Sequence, residues 1–536
     1  MLKPALRPPM RAPMRSANSP REGVGWWQTG SLFDADYANG RFRYNGTLYP
    51  DEASFNTALG ATKSGIARTF GPYVFGAELL TDPWFASGID SWADAPTYAA
   101  NGEPSQVSNA LRLLFTGAAT TYRARRPVAV TADHAYLLAA TALSHVTLTS
   151  ASLQGSTNTD LGGTATTGFT LASLPQSKSL VFGPNTSTMY LGIALTGTAA
   201  ATTRLDLDDA SAKECYPYNG FVVGAIASRI AFSTPASVPS AVVLAQWGDD
   251  SERQRVRLEL GVDLHLHLII TRNNTETGNL DLGLLTVSTS YVAEVSFAPN
   301  RIVARVSGAA SVQSFATTIP GIGKFWIGRS FTGETWTGTI NQVAVWASEH
   351  LPRDVIWCEG DSYCAGAGGV SLTGSLQGLA RPAVTTAVAG TNLSDQLARV
   401  LGKPGLAADG VFVHWDGSAV GNVDAATAMA NYAAILASLG HSRFVIVPPV
   451  RIAINTAPNN ALTTAIQTAL VAAYPNNIVD AQAILASHAT SPVDDADVAA
   501  GNVPTSLLQA DNAHLTATGM GYVATAVKTL LTANGW

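Results

Sequence analysis

The order of apolar and polar positions changes character once along the chain, near residue 350. Before that point, short runs alternate apolar and polar residues, as in ALRLLF (110–115), VRLEL (256–260) and RIVARV (301–306). Stretches rich in Gly, Asn, Ser and Thr separate them. Successive side chains of a strand point to opposite faces, so a period of two predicts antiparallel strands with one buried face, the pattern of β-sandwiches. After residue 350 the runs are more continuously apolar: GVFVHW (410–415), RFVIV (443–447) and NIVD (477–480). Between them, residues 424–439 and 459–474 have helical spacing. A final helix from about Thr516 sets Met520, Val523, Val527, Leu530 and Leu531 on one face. Strands alternating with helices imply a parallel sheet covered on both faces.

This pattern divides the chain into five segments. Residues 1–22 carry Lys3, Arg7, Arg11, Arg15 and Arg21 among prolines, and read as a disordered arm or as an attachment segment to a larger assembly. Residues 23–75 read as a compact leader module with Trp26, Trp27 and the turn-rich YANG (37–40). Residues 76–214 and 216–350 read as two β-sandwich modules, and residues 353–536 as an α/β domain.

Composition narrows the classes. Only 13% of residues are charged, while Ala, Gly, Ser and Thr dominate, which suits β-rich extracellular or virion proteins better than a cytosolic enzyme. A net charge of −6 with no basic domain argues against nucleic acid as the main partner. Three cysteines exclude a disulfide framework, and a bridge between Cys358 and Cys364 is neither required nor excluded by their spacing. No apolar run reaches the length of a membrane helix, and no apolar stretch follows the N-terminal arginines as a Sec signal peptide would require. His265 and His267 share one face of a strand. With no third ligand in view, they are expected to face solvent rather than hold a metal.

Two short motifs carry candidate chemistry. Gly360-Asp361-Ser362 follows the first apolar run of the α/β segment, VIW (355–357). Such a turn places Ser362 at the carboxyl end of a strand, where open α/β sheets put their sites, and at a helix start whose N–H groups point toward it. Asp511-Asn512-Ala513-His514 precedes the last helix. Either motif alone suits an ordinary surface turn. Together, at opposite ends of one α/β segment, they supply a nucleophile, a base and an acid that orients the base. His514 is expected to take the Ser362 proton and return it to the leaving group, and Asp511 to hold the imidazole tautomer. Asp361 is read as a turn and helix-start residue.

Gly360-Asp361-Ser362 near the start and Asp511-x-x-His514 near the end resemble the first and fifth blocks of the SGNH (GDSL) hydrolase family, over residues 353–536. The resemblance implies a flavodoxin-like three-layer α/β/α domain and a Ser-His-Asp esterase, lipase or carbohydrate deacetylase with no cofactor and no metal. The family's second block contributes a glycine N–H to the oxyanion hole. AGTNLSDQL (389–397) resembles it, which makes Gly390 the candidate beside the N–H of Ser362. The third block departs from the family's Gly-x-Asn: counting from Gly417 places Ala419 where the asparagine belongs. Asn422 or Asn392 could replace it. Loss of such a donor costs about 2.7–4 kcal/mol of transition-state stabilisation in a serine protease.

The first sandwich, with Trp84, Trp92 and RLDLD (204–208), resembles carbohydrate-binding jelly-roll modules. The end of the second, KFWIG (324–328) and WTGTINQVAVW (336–346), resembles laminin-G or concanavalin-like lectin folds. The aromatics of both are expected in cores rather than as sugar platforms. The whole layout resembles phage tail or capsid fibre proteins. It implies removal of O-acetyl groups from a bacterial surface polysaccharide by a virion-associated or extracellular protein, in an assembly that could be trimeric. A secreted bacterial carbohydrate esterase and a non-catalytic glycan-binding adhesin are the alternatives.

Overall fold

The computed structural model describes residues 31–536, apart from residues 90, 163–164, 218–225, 299–300, 307–312, 316–320, 351–354, 380, 382, 404–405, 408–409 and 418–420. The arm at 1–22, Trp26, Trp27 and Ala419 therefore lie outside the described residues. The chain is mostly β-sheet, in several sheets and more than one domain. Among the described residues no helix is long and apolar enough to cross a membrane.

The first module packs a five-stranded sheet against a sheet built on Ala135–Val146 and Arg204–Tyr216; all pairings are antiparallel. One core fills the space between them, with Phe85, Trp92, Phe115, Tyr122 and Phe182 buried. Trp84 departs from the expected core placement and is 64% exposed.

The leader is not a separate module, and this corrects the sequence-based division. Strands Phe33–Asp36 and Arg41–Tyr44 extend an eight-stranded sheet beyond Thr339–Trp346, with Phe33 opposite Val345 and Ala35 opposite Val343. Strand Ala67–Phe70 joins a seven-stranded sheet beside Lys324–Ile327, with Phe70 opposite Phe325. Phe33, Phe42, Phe55 and Phe70 share one core with Trp247, Phe297 and Trp336 of the second sandwich. The physical reason is size. Three- and four-residue strands expose an apolar face too small to form a core alone, so they close the open edges of a larger sheet. Alternation in the sequence shows which face is buried, but not which edge it joins.

The two sandwiches meet through named contacts. Arg272 forms a two-point ion pair with Asp133, at 3.1 and 2.7 Å. Asp249 accepts from the Gly183 N–H at 3.0 Å, and Asp250 from the Val181 N–H at 2.9 Å. His265 Nδ1 lies 2.8 Å from Asp281 and His267 Nδ1 2.9 Å from the Asn279 carboxamide oxygen. No group of three metal-ligating side chains occurs among the described residues.

Among its described residues the C-terminal domain has four parallel strands: β1 (Ile356–Gly360), β2 (Ala383–Thr385), β3 (Val411–Trp415) and β4 (Phe444–Val447), in the order β2-β1-β3-β4. The strand expected at 477–480 is reduced to a parallel bridge between Ile446 and Ile478, and the strand at Ala383–Thr385 was not expected. The helices are α1 (Ser362–Ala365), α2 (Leu372–Gly378), α3 (Leu393–Leu401), α4 (Ala425–Ser438), α5 (Ala457–Ala473), α6 (Ala481–Ala486), α7 (Pro492–Ala499) and α8 (Ala517–Ala533). Ile356, Cys358, Val413 and Val445 pack on Leu376 of α2, Leu485 of α6 and Val523 and Val527 of α8. Trp357, Phe412 and Ile446 face the other way, toward Leu393 of α3, Tyr432 of α4 and Ile466 of α5. Helices thus cover both faces, which is why these strands are apolar at consecutive positions. Of the five residues expected on the α8 face, Met520, Val523, Val527 and Leu531 are buried and Leu530 is half-buried. All three cysteines are free and buried.

Candidate active site

The site begins where β1 ends. Gly360 has φ +152°, and a Cβ there would collide with the carbonyl oxygen of Trp415 on the neighbouring strand. A side chain at this position would drive β1 and β3 apart, so glycine is required. Asp361 then caps α1: its Oδ1 accepts from the Tyr363 N–H at 3.0 Å. Its other oxygen leaves no room for a Cβ at Gly417, which has φ +51°. Asp361 is therefore the helix-start residue expected from the sequence. Ser362 is the first residue of α1, and nothing among the described residues accepts from its N–H.

The base arrives from the other end of the domain. Asn512, at φ +55°, turns the chain after Asp511. Asp511 Oδ1 accepts the backbone N–H groups of Ala513 and His514, both at 3.0 Å, which folds the loop around the carboxylate. Its Oδ2 lies 2.6 Å from His514 Nδ1. His514 Nε2 lies 2.9 Å from Ser362 Oγ. With Nδ1 protonated toward Asp511, Nε2 carries a lone pair facing the serine hydroxyl. The hydrogen bond to His514 and the two backbone N–H groups hold the Asp511 carboxyl down at about 2. The three side chains proposed for catalysis are thus brought into one chain of hydrogen bonds.

Contacts that no motif announced hold this loop. Tyr363 donates its hydroxyl to the Ala513 carbonyl at 2.5 Å, which ties the helix behind the serine to the histidine loop. Gln509 Nε2 donates to the carbonyls of Ala367 and Leu515, at 3.1 and 2.8 Å, and the Gln509 N–H donates to the His514 carbonyl at 2.7 Å.

Gly390 lies in an exposed turn between β2 and α3, at φ +75°, and among the described residues nothing accepts from its N–H. Asn392 caps α3 reciprocally with Asp395. Its Oδ1 accepts from the Ser394 and Asp395 N–H groups at 2.9 and 3.1 Å. Asn422 is engaged as well: its Nδ2 donates to Asp416 at 2.6 Å, and its Oδ1 accepts from the Leu393 N–H at 3.2 Å. Both contacts tie Asn422 to the residue after β3 and to the start of α3.

Beneath the turn lies a buried polar layer. Glu359, fully buried, accepts from Arg399 at 3.0 and 2.6 Å and from Thr386. Asp416, 2% exposed, accepts from Gln396 and Asn422. Burial, then the nearby Asp361 charge, pushes the Asp416 carboxyl up to about 7. Burial likewise pushes Asp361 up to about 6. A signal for this layer did exist: Glu359 and His414 interrupt otherwise apolar strands, and a buried polar residue needs partners.

No family model matches the chain, and no curated protein matches it. Solved structures do. A member of the lipolytic protein G-D-S-L family from Veillonella parvula is 13% identical over 33% of this chain and 98% of its own, with a TM-score of 0.26. The CBM40 of a Ruminococcus gnavus IT-sialidase, solved with alpha2,3 sialyllactose, is 13% identical over 24% of this chain and 78% of its own, with a TM-score of 0.21.

Proposed function

We propose that residues 353–536 are a serine esterase of the SGNH type on a flavodoxin-like α/β/α scaffold, and that it removes O-acetyl groups from a bacterial surface polysaccharide. The observation that carries this reading is the continuous relay from Asp511 through His514 to Ser362. The strand order β2-β1-β3-β4, with Ile478 bridged beyond β4, supports the scaffold.

Ser362 Oγ attacks the acetyl carbonyl while His514 Nε2 takes its proton, and Asp511 stabilises the imidazolium. The N–H groups of Ser362 and Gly390 receive the oxyanion. The sugar alkoxide leaves with the proton from His514. Water, deprotonated by His514, then releases acetate from Ser362. The chemistry uses only these side chains and water, with no cofactor. The sandwiches would hold the polysaccharide, and the protein would act outside the cell or on a virion as part of a fibre, attached through its N-terminal region.

The test is acetate release from acetylated polysaccharides and from a small aryl acetate, with Ser362→Ala in parallel. Release that depends on Ser362 is expected. No release from any substrate by the folded protein would turn the assignment to a glycan-binding adhesin.

A further inference from the structure

Asp416 is a buried carboxylate with no cationic partner among the described residues. It lies directly after β3, at the carboxyl end of the sheet, 2% exposed. A charge at that depth persists only if hydrogen bonds replace its water. Two amides do so. Oδ1 accepts from Gln396 Nε2 at 2.7 Å, and Oδ2 accepts from Asn422 Nδ2 at 2.6 Å.

Each amide is fixed in turn. Gln396 Oε1 lies 2.8 Å from His414 Nε2, and Gln396 Nε2 also donates to the Thr391 carbonyl at 3.2 Å. The Thr391 carbonyl can only accept, so the carboxamide orientation is set, and His414 is the Nε2–H tautomer. Burial keeps that imidazole neutral, with its pKa held down at about 3. Asn422 Oδ1 accepts from the Leu393 N–H at 3.2 Å. Both amides therefore lead to residues 391–393, immediately after Gly390.

We propose that Asp416 is a positioning residue for the oxyanion hole: through Gln396 and Asn422 it docks the start of α3, and with it the Gly390 turn, beside Ser362. The inference rests on Ser362 as nucleophile and Gly390 as donor. Asn422 then acts as a clamp, and the hole is built from backbone N–H groups.

The experiment is steady-state kinetics on an aryl acetate at pH 8.5, using the full chain. It compares wild type, Asp416→Asn, Asn422→Asp and the double swap. Asp416→Asn sets an amide N–H where Gln396 or Asn422 already donates, so one contact breaks. Asn422→Asp sets two carboxylates against each other. Each single change is expected to lower kcat about 10- to 100-fold with KM within about twofold, as for a contact felt in the transition state. The swap restores all three contacts with the central one reversed in polarity. The carboxylate at position 422 accepts from the new amide at position 416 and from the Leu393 N–H, and the carboxamide oxygen at position 416 accepts from Gln396. The swap is expected to recover kcat to within about threefold of wild type.

A swap worse than both single variants would overturn the proposal, because Asn422 would then itself donate to the oxyanion. Unchanged kcat in Asp416→Asn would overturn it while leaving the esterase intact. If Asp416→Asn does not fold, the comparison of Asn422→Asp with the swap decides. A wild type with no Ser362-dependent turnover would overturn both this inference and the esterase reading.

Discussion

Ser362 and His514 meet across 152 positions of sequence, and the chemistry at their contact makes sharp demands. By the scale of other serine hydrolases, Ser362→Ala and His514→Ala should each lower kcat on the order of 10^6-fold, and Asp511→Asn about 10^4-fold. Equal turnover by wild type and Ser362→Ala would reject the relay. The carboxylates also predict opposite effects of pH. The Asp511 pKa is depressed, so its contacts stabilise the fold above its ordinary value and are lost as pH falls toward about 2. Asp361 and Asp416 are raised, so their contribution is greatest below about 4 and declines as pH rises through about 6 to 7. Asp416→Asn should therefore flatten the loss of hydrogen-exchange protection in β1 and β3 between pH 4.5 and 7.5. An unchanged slope would show that another group sets it. At this scale the motif residues were legible because a Gly-Asp-Ser turn and an Asp-x-x-His loop are local. The Asp416 layer was not, because Gln396, His414 and Asn422 become partners only once α3 lies against β3.

Elements were read well where their chemistry is local. The last helix was expected from Thr516, and Thr516 is its cap, accepting from the Gly519 N–H at 3.2 Å. Thr516→Ala should destabilise the C-terminal domain by about 1 kcal/mol, measured by denaturant unfolding. Gly360→Ala should cost about 2 kcal/mol or more, since it combines positive φ with a collision at the Trp415 carbonyl. A variant as stable as wild type would mean that β1 and β3 can part without penalty. The helix expected over 459–474 in fact begins at Ala457. Pro458 lies in its first turn, where a missing N–H costs no hydrogen bond. The strand expected at 477–480 keeps a single bridge, because apolar composition records burial and not ladder length.

For the whole molecule, the leader alters how the chain can be cut. A fragment of residues 216–350 lacks Phe33, Phe42, Phe55 and Phe70 from its core and exposes two sheet edges. It should aggregate, whereas residues 31–350 should be soluble with native-like circular dichroism; a soluble, cooperatively folded 216–350 would contradict the shared core. Glycan binding by the sandwiches is therefore to be tested on 31–350, and absence of binding to any host polysaccharide would count against it. Chain order of apolar and polar residues, with two short motifs, was enough to separate β-rich from α/β regions and to single out Ser362, Asp511 and His514, which the fold brings into hydrogen-bond contact. Those signals live in periodicity and in turns, which span a few residues. The edge that the leader closes, the joint between the sandwiches and the buried layer under the Gly390 turn depend on contacts between distant segments. Many pairings satisfy the same alternation, and only packing the full chain selects one.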